Sequence, residues 1–239
     1  MIRAVIFDFN GVLIDDESLH FEMFREILAQ EDVLITEHDY HERYLGLDDR
    51  GCFETALQDA GQTADRARLD QLIARKAIRY AEEAAAGLKV FPGAPESLAT
   101  LSGRFILAIN SGALRPEIDF ALKLMGRRDC VRAIVSAEET ERCKPDPQGY
   151  KLALDKLRSC ESFALNELAS GDCLVIEDSL AGIESAKGAG MWAVGISNTY
   201  NADDLRSAGA DEVIDHLDRL APDWIVNRFG ASVSSGSKQ

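Results

Sequence analysis

The chain is poor in positive charge: 26 Lys and Arg stand against 41 Asp and Glu in 239 residues. Nucleic-acid binding rewards faces that neutralise phosphate, so this balance argues against it. A small anionic ligand stays open, because a local site can be positive on an acidic protein. Long apolar runs are missing too, and none approaches the length that crosses a bilayer. No basic segment precedes a long hydrophobic stretch at the start, so no secretory leader is expected. The five cysteines (Cys52, Cys130, Cys143, Cys160 and Cys173) form no C-x-x-C pair and are odd in number. That pattern suits free thiols in a reducing cytoplasm. No internal repeat is visible.

What is present is an apolar content of 46%, enough for a substantial core. The length allows one large domain or a domain with a smaller partner. A buried strand is expected over about residues 3–8, then a helix over 16–31. Residues 32–88 stay helical and polar. There the spacing predicts a helix capped by Asp48-Asp49 and ending at Gly61. A longer helix is predicted over 64–86, with Leu69, Leu72, Ile73 and Ile78 on its apolar face. From Val90-Phe91-Pro92-Gly93 onward, strands at 105–109, 133–135, 173–176, 192–196 and 213–214 alternate with helices at 116–125, 147–157 and 180–189. Such alternation implies an α/β fold with a parallel sheet and helices on both faces. The helical stretch is too long for a loop and reads as a second small domain inserted after the first strand. The expected boundaries are a core of residues 1–14 and 90–226, an insertion of residues 15–89, and a flexible tail of residues 227–239.

Four segments fall just after predicted strands, and in a parallel sheet those ends share one edge. They are Asp8-Phe9-Asn10-Gly11, Asn110-Ser111-Gly112, Lys144-Pro145-Asp146-Pro147 and Glu177-Asp178-Ser179. Each has a plainer alternative. Asp8, Asn10 and Gly11 are turn formers, Ser111-Gly112 also suits a turn, and Ser179 suits a helix cap. Glu177-Asp178 is harder to dismiss. Two carboxylates after an apolar strand repel each other and lose water, so they need a cation. Lys144 is one; Mg²⁺ held by oxygen ligands is another.

With these motifs in order, the chain resembles the haloacid dehalogenase-like phosphohydrolases, in the β-phosphoglucomutase and phosphoglycolate phosphatase branch. The likeness rests on Asp8-Phe9-Asn10-Gly11-Val12-Leu13, Ser111, Lys144-Pro145-Asp146-Pro147 and Glu177-Asp178-Ser179-Leu180-Ala181-Gly182-Ile183. It spans residues 3 to about 220, and Asp15 and His20 resemble the lead into a helical cap. The resemblance implies a Rossmann-like three-layer core with an inserted all-helical cap. It further implies that Asp8 attacks phosphorus and becomes an aspartyl-phosphate. Mg²⁺ would be held by Asp8, Asp178 and the main-chain carbonyl of Asn10, with Glu177 assisting. Gly11, Ser111, Gly112 and Lys144 would meet the phosphoryl group. His20, Arg50 and Lys76 would meet the rest of a small phosphorylated metabolite. A membrane partner is not expected, and the oligomeric state is not readable.

The chain departs from the family at Asn10. The family's phosphatases and mutases carry a second aspartate there, which protonates the leaving oxygen. An amide cannot shuttle a proton at neutral pH. General acid–base catalysis contributes about 10²–10⁴-fold, so turnover is expected to be slow while phosphate binding is kept. Asp15, Asp16 and His20 are candidate substitutes. A phosphosugar mutase and a catalytically weak phosphate-ligand-binding protein are the alternatives. Dehalogenases lack the metal that Glu177-Asp178 suggests, and phosphonatases need a differently placed cap lysine.

Overall fold

The computed structural model describes residues 1–45, 47–160 and 167–230. Its core is a six-stranded parallel sheet in the order β3-β2-β1-β4-β5-β6. The strands are β1 (Ala4–Phe7), β2 (Ile106–Asn110), β3 (Val131–Val135), β4 (Cys173–Glu177), β5 (Trp192–Ile196) and β6 (Glu212–Ile214). The chain builds outward from β1 to β2 and β3, then returns to β1's other side for β4, β5 and β6. The order therefore reverses between β1 and β4, and open α/β sheets leave a crevice at such a switch point beyond the strand C-termini. Register brings Phe7 level with Ile176, so the residues after them, Asp8 and Glu177, emerge side by side.

Successive strand residues face opposite sides of the sheet. Val5, Phe7, Leu107, Ile109, Leu174 and Ile176 pack on one side, against α4 (Ala94–Ser102), α5 (Arg115–Leu124) and α9 (Pro222–Phe229). Ala4, Ile6, Ala108 and Val175 pack on the other, against α6 (Gln148–Arg158) and α7 (Leu180–Gly188). A short helix, α8 (Ala202–Ser207), joins β5 to β6. The sequence pattern does not announce α8 or α9. Helix α9 extends three residues into the stretch expected to be tail, because Phe229 is buried against the core.

The insertion leaves and re-enters the core through two paired connections. Asp15 N–H donates to the Lys89 carbonyl (3.0 Å), and Phe91 N–H donates to the Leu13 carbonyl (3.0 Å). Between them lie α1 (Glu17–Ala29), α2 (Asp49–Asp59) and α3 (Arg66–Gly87). Phe24, Ile27, Leu28, Phe53, Leu57, Leu69 and Leu72 form an apolar cluster of the insertion's own. The side chains of Asp48 and Asp65 cap α2 and α3, accepting from Gly51 N–H and Arg68 N–H (2.8 Å each).

One expected core residue is not in the core. Ile78 is 63% exposed, whereas Leu69, Leu72, Lys76, Tyr80 and Ala84 are buried on α3. The buried positions follow helical spacing, and Ile78 lies on the opposite side of that stripe. Lys76 takes the buried place because it has an anionic partner there, described below.

Gly182 is required by packing. A Cβ at this position would overlap the Glu177 carboxylate. Gly182→Ala is expected to cost about 1–3 kcal/mol from overpacking. For a chain of this size that lowers the melting temperature by about 2–4 °C per kcal/mol. A calorimetric scan that superimposes on the parent's would refute the close approach.

Candidate active site

The crevice between β1 and β4 gathers the strand-end residues. Asp8 follows β1, and its N–H donates to the Ile176 carbonyl (2.9 Å), which fixes the carboxylate at the sheet edge. Lys144 Nζ lies 2.8 Å from Asp8 Oδ1 and also pairs with Glu177. Asp8, Glu177 and Asp178 are all buried, and one carboxylate oxygen of each lies within 4.8 Å of the others. Asp8, Asn10, His20, Ser111, Gly112, Lys144 and Asp178 line one cavity between the core and the helical insertion. A Cβ at Gly112 would stand 3.4 Å from Asp48 Cβ, so the insertion touches the core here. Gly11 has a φ of 75°, which favours glycine. A Cβ on it would overlap the Asp178 carboxylate.

Glu177 is fully buried and its oxygens are occupied. Oε2 accepts from Asp178 N–H (3.1 Å), Ser179 N–H (3.0 Å) and the Ser179 hydroxyl (2.9 Å). Oε1 accepts from the Tyr150 hydroxyl (2.9 Å) and from Lys144. Glu177 thus braces the loop and positions Lys144, while Asp8 and Asp178 face the cavity. Thr199 donates its hydroxyl to Asp178 Oδ2, and Asn198 Nδ2 donates to the Gly11 carbonyl (2.8 Å). Sequence reasoning passes over Tyr150 as a core residue and omits Thr199. Thr199 had a signal: it follows β5, a fifth strand end on the same edge.

Three carboxylates face one ammonium. Burial pushes the Asp8 carboxyl up to about 7, with Lys144 pulling it down and Glu177 pushing it up. Burial, then Glu177 and Asp8, raise Asp178 well above the usual carboxylate range. For Lys144, burial works against the charge, but Asp8 and Glu177 outweigh it and hold the ammonium above its ordinary value. The excess negative charge and the all-oxygen donors fit a hard divalent cation such as Mg²⁺.

The sign of the pH dependence follows. A carboxyl raised on folding stabilises the fold fully below its unfolded value near 4. That contribution is lost as pH rises through about 7. The melting temperature of the metal-free protein is therefore expected to fall between pH 6 and pH 8. Added Mg²⁺ should therefore raise the melting temperature more at pH 8 than at pH 6. A flat metal-free profile would show that Asp8 stays ionised throughout.

Asn10 is held by the insertion. Its Nδ2 donates to both oxygens of Asp16 (2.9 Å each), and its Oδ1 accepts from Ser111 Oγ (3.4 Å). Asp16 also accepts from the Tyr80 hydroxyl (2.5 Å) and lies 3.2 Å from His20 Nε2. Lys76 Nζ is 2.7 Å from His20 Nδ1 and 2.5 Å from Asp49 Oδ1. An ammonium so close to Nδ1 is met by a lone pair there, while Nε2 lies 3.2 Å from Asp16 and 3.1 Å from Asn10 Nδ2. Burial disfavours the Lys76 charge, but Asp49 and then Glu117 hold its pKa above the ordinary value.

Two of the residues assigned to substrate do not present a free charge to the cavity. Lys76 is 0% exposed and lies behind Asp49 and His20. Arg50 points away and pairs with Asp70 (2.5 Å) on the surface of the insertion.

The chain belongs to the haloacid dehalogenase-like hydrolases, whose family model matches residues 2–190. It is 28% identical over 234 residues to a phosphoglycolate phosphatase of Rhodospirillum rubrum, covering 94% of this chain and 91% of that one. It is also 28% identical over 249 residues to β-phosphoglucomutase of Bacillus subtilis, covering 97% and 100%. The crystal structure of β-phosphoglucomutase from Clostridium difficile has a similar fold, with a TM-score of 0.81 at 22% identity over 96% of this chain and 98% of that one.

Proposed function

We propose that this chain is a Mg²⁺-dependent phosphohydrolase that cleaves a small phosphomonoester through an aspartyl-phosphate on Asp8. The observation that carries this reading is Asp8 itself. It is a buried carboxylate at the C-terminal end of the central strand, 2.8 Å from Lys144 and grouped with Asp178 and Glu177. Relatives named as a phosphoglycolate phosphatase and a β-phosphoglucomutase support the same chemistry.

Phosphoryl transfer needs positioning and charge neutralisation more than elaborate covalent chemistry. Asp8, Asp178 and the Asn10 main-chain carbonyl would hold Mg²⁺, which when bound supplies neutralisation of phosphoryl and carboxylate charge. Lys144 and Ser111 orient the phosphoryl oxygens. Asp8 attacks phosphorus, the bond to the leaving oxygen breaks, and that oxygen takes up a proton from water. Water then cleaves the acyl-phosphate, releasing inorganic phosphate and restoring Asp8. Asn10 cannot donate the proton, so the leaving step and the water attack are slow. The insertion roofs the cavity, excludes water and meets the leaving group.

The test is release of inorganic phosphate from a panel of phosphomonoesters, with Mg²⁺ and with a chelator. Release that requires Mg²⁺ supports the reading. Mg²⁺-dependent binding with no release over long incubation would replace it with a phosphate-ligand-binding protein.

A further inference from the structure

We infer that the leaving group this site accepts is an uncharged, hydroxyl-bearing alcohol, and that the site rejects a substrate carrying a second negative charge. The inference rests on the phosphohydrolase reading and concerns the wall that the insertion gives the cavity. The insertion contributes Glu17, Asp48 and Asp49 to that wall, together with the Tyr40 side chain. Among the described residues, it contributes no lysine or arginine to the lining. The two cations that an anionic leaving group would seek are withdrawn. Arg50 is committed to Asp70 outside the cavity, and Lys76 is sealed behind Asp49 and His20. His20 lines the cavity, but both its ring nitrogens are already engaged, Nδ1 by Lys76 and Nε2 by Asp16.

Among the described residues, the core adds two cations to the lining, Lys144 and Arg142. Lys144 is engaged by Asp8 and Glu177 at the phosphoryl end. Arg142 stands at the mouth, 67% exposed in its side chain, and pairs with Asp146 (2.8 Å). An anionic leaving group would therefore meet carboxylates without a free cation, and like charges brought together in this way cost several kcal/mol.

The same wall asks for donors. Asp49 Oδ1 is taken by Lys76, but Oδ2 is buried with no hydrogen-bond partner. A buried acceptor left unsatisfied is costly, and a substrate hydroxyl would relieve it. Glu17 keeps acceptor capacity beyond the Tyr40 hydroxyl, which donates to Oε1 at 2.5 Å. Asp48 Oδ1 accepts from Gly51 N–H, which fixes its carboxylate at the start of α2.

A matched pair of substrates tests this. Sorbitol 6-phosphate and 6-phosphogluconate share a carbon chain and differ at the far end, a hydroxymethyl against a carboxylate. With Mg²⁺ present, kcat/KM for phosphate release is expected to favour sorbitol 6-phosphate by at least about tenfold. At equal concentration, sorbitol 6-phosphate should also give the larger melting-temperature shift. Glu17→Gln and Asp49→Asn should each narrow the ratio severalfold. If Asp49→Asn does not fold, Glu17→Gln and the parent decide the matter. Equal or inverted preference in the parent overturns the inference, as does the absence of a melting shift with both ligands. A shift in the expected order with no phosphate release leaves the inference standing and overturns the hydrolase reading instead. Preference for 6-phosphogluconate that disappears in Arg142→Gln would show that Arg142 receives an anion.

Discussion

Asp8→Asn is expected to lower phosphate release by about 10⁵-fold or more, since an amide oxygen cannot replace a carboxylate nucleophile. The same change should raise the melting temperature of the metal-free protein at pH 8. It removes one of three buried carboxylates that face a single ammonium. Lys144 keeps Glu177 as its partner, so no buried cation is left alone. Opposite movements of rate and stability separate a chemical role from a structural one. Single-turnover phosphate release and a melting scan in chelator are the measurements. If release survives in Asp8→Asn, the aspartyl-phosphate route is wrong.

Asn10→Asp is expected to act the other way. A carboxylic acid here can protonate the leaving oxygen and then take a proton from water, worth about 10²–10⁴-fold in rate. The structure attaches a cost. Asn10 Nδ2 donates to both oxygens of Asp16 at 2.9 Å, and an aspartate would place a second carboxylate against the first. Two carboxylates so close cannot both ionise freely, so the pair would share a proton at neutral pH. That retained proton favours a general acid, while the repulsion lowers the melting temperature. Exchanging both residues, Asn10→Asp with Asp16→Asn, restores one carboxylate facing one amide. It should recover the melting temperature and keep the gain in rate. An unchanged rate in Asn10→Asp would sink the argument that the missing carboxylate limits turnover.

Much of this site is legible in the chain itself. Carboxylates, a serine and a lysine placed just after apolar strands must share one edge once those strands run parallel, whatever the details of packing. Thr199 obeys the same rule and was readable on the same grounds. Tyr150 was not, because its helical spacing marks it for the core, and only the close approach of β4 gives its hydroxyl a carboxylate to meet. The insertion is harder to read. In a chain with 41 acidic residues, Asp16 reads as one of several candidate proton carriers and Asp49 as part of a helix cap, and neither reading names the partner it meets. A lysine on a polar helix such as Lys76 likewise suggests an exposed side chain, and Ile78 a buried one. Pairing with Asp49 buries Lys76, because a buried ammonium is tolerated only where an anion accompanies it, and Ile78 falls on the opposite side of that stripe.

The sequence alone determined the parallel α/β core, the helical insertion after the first strand, and the order of the strand-end groups around Asp8. These follow from local periodicity and from the geometry common to parallel sheets, which need no knowledge of particular contacts. Only the tertiary structure decided what surrounds Asn10 and what the insertion gives the cavity wall. Whether a charge points inward, pairs or is sealed away depends on residues distant in the chain. Asp16 meets Tyr80, Asp49 meets Lys76, and Arg50 turns outward to Asp70. Such pairings are settled by the competition between desolvation and a partner within a few ångströms, and that competition leaves no periodic trace in the sequence.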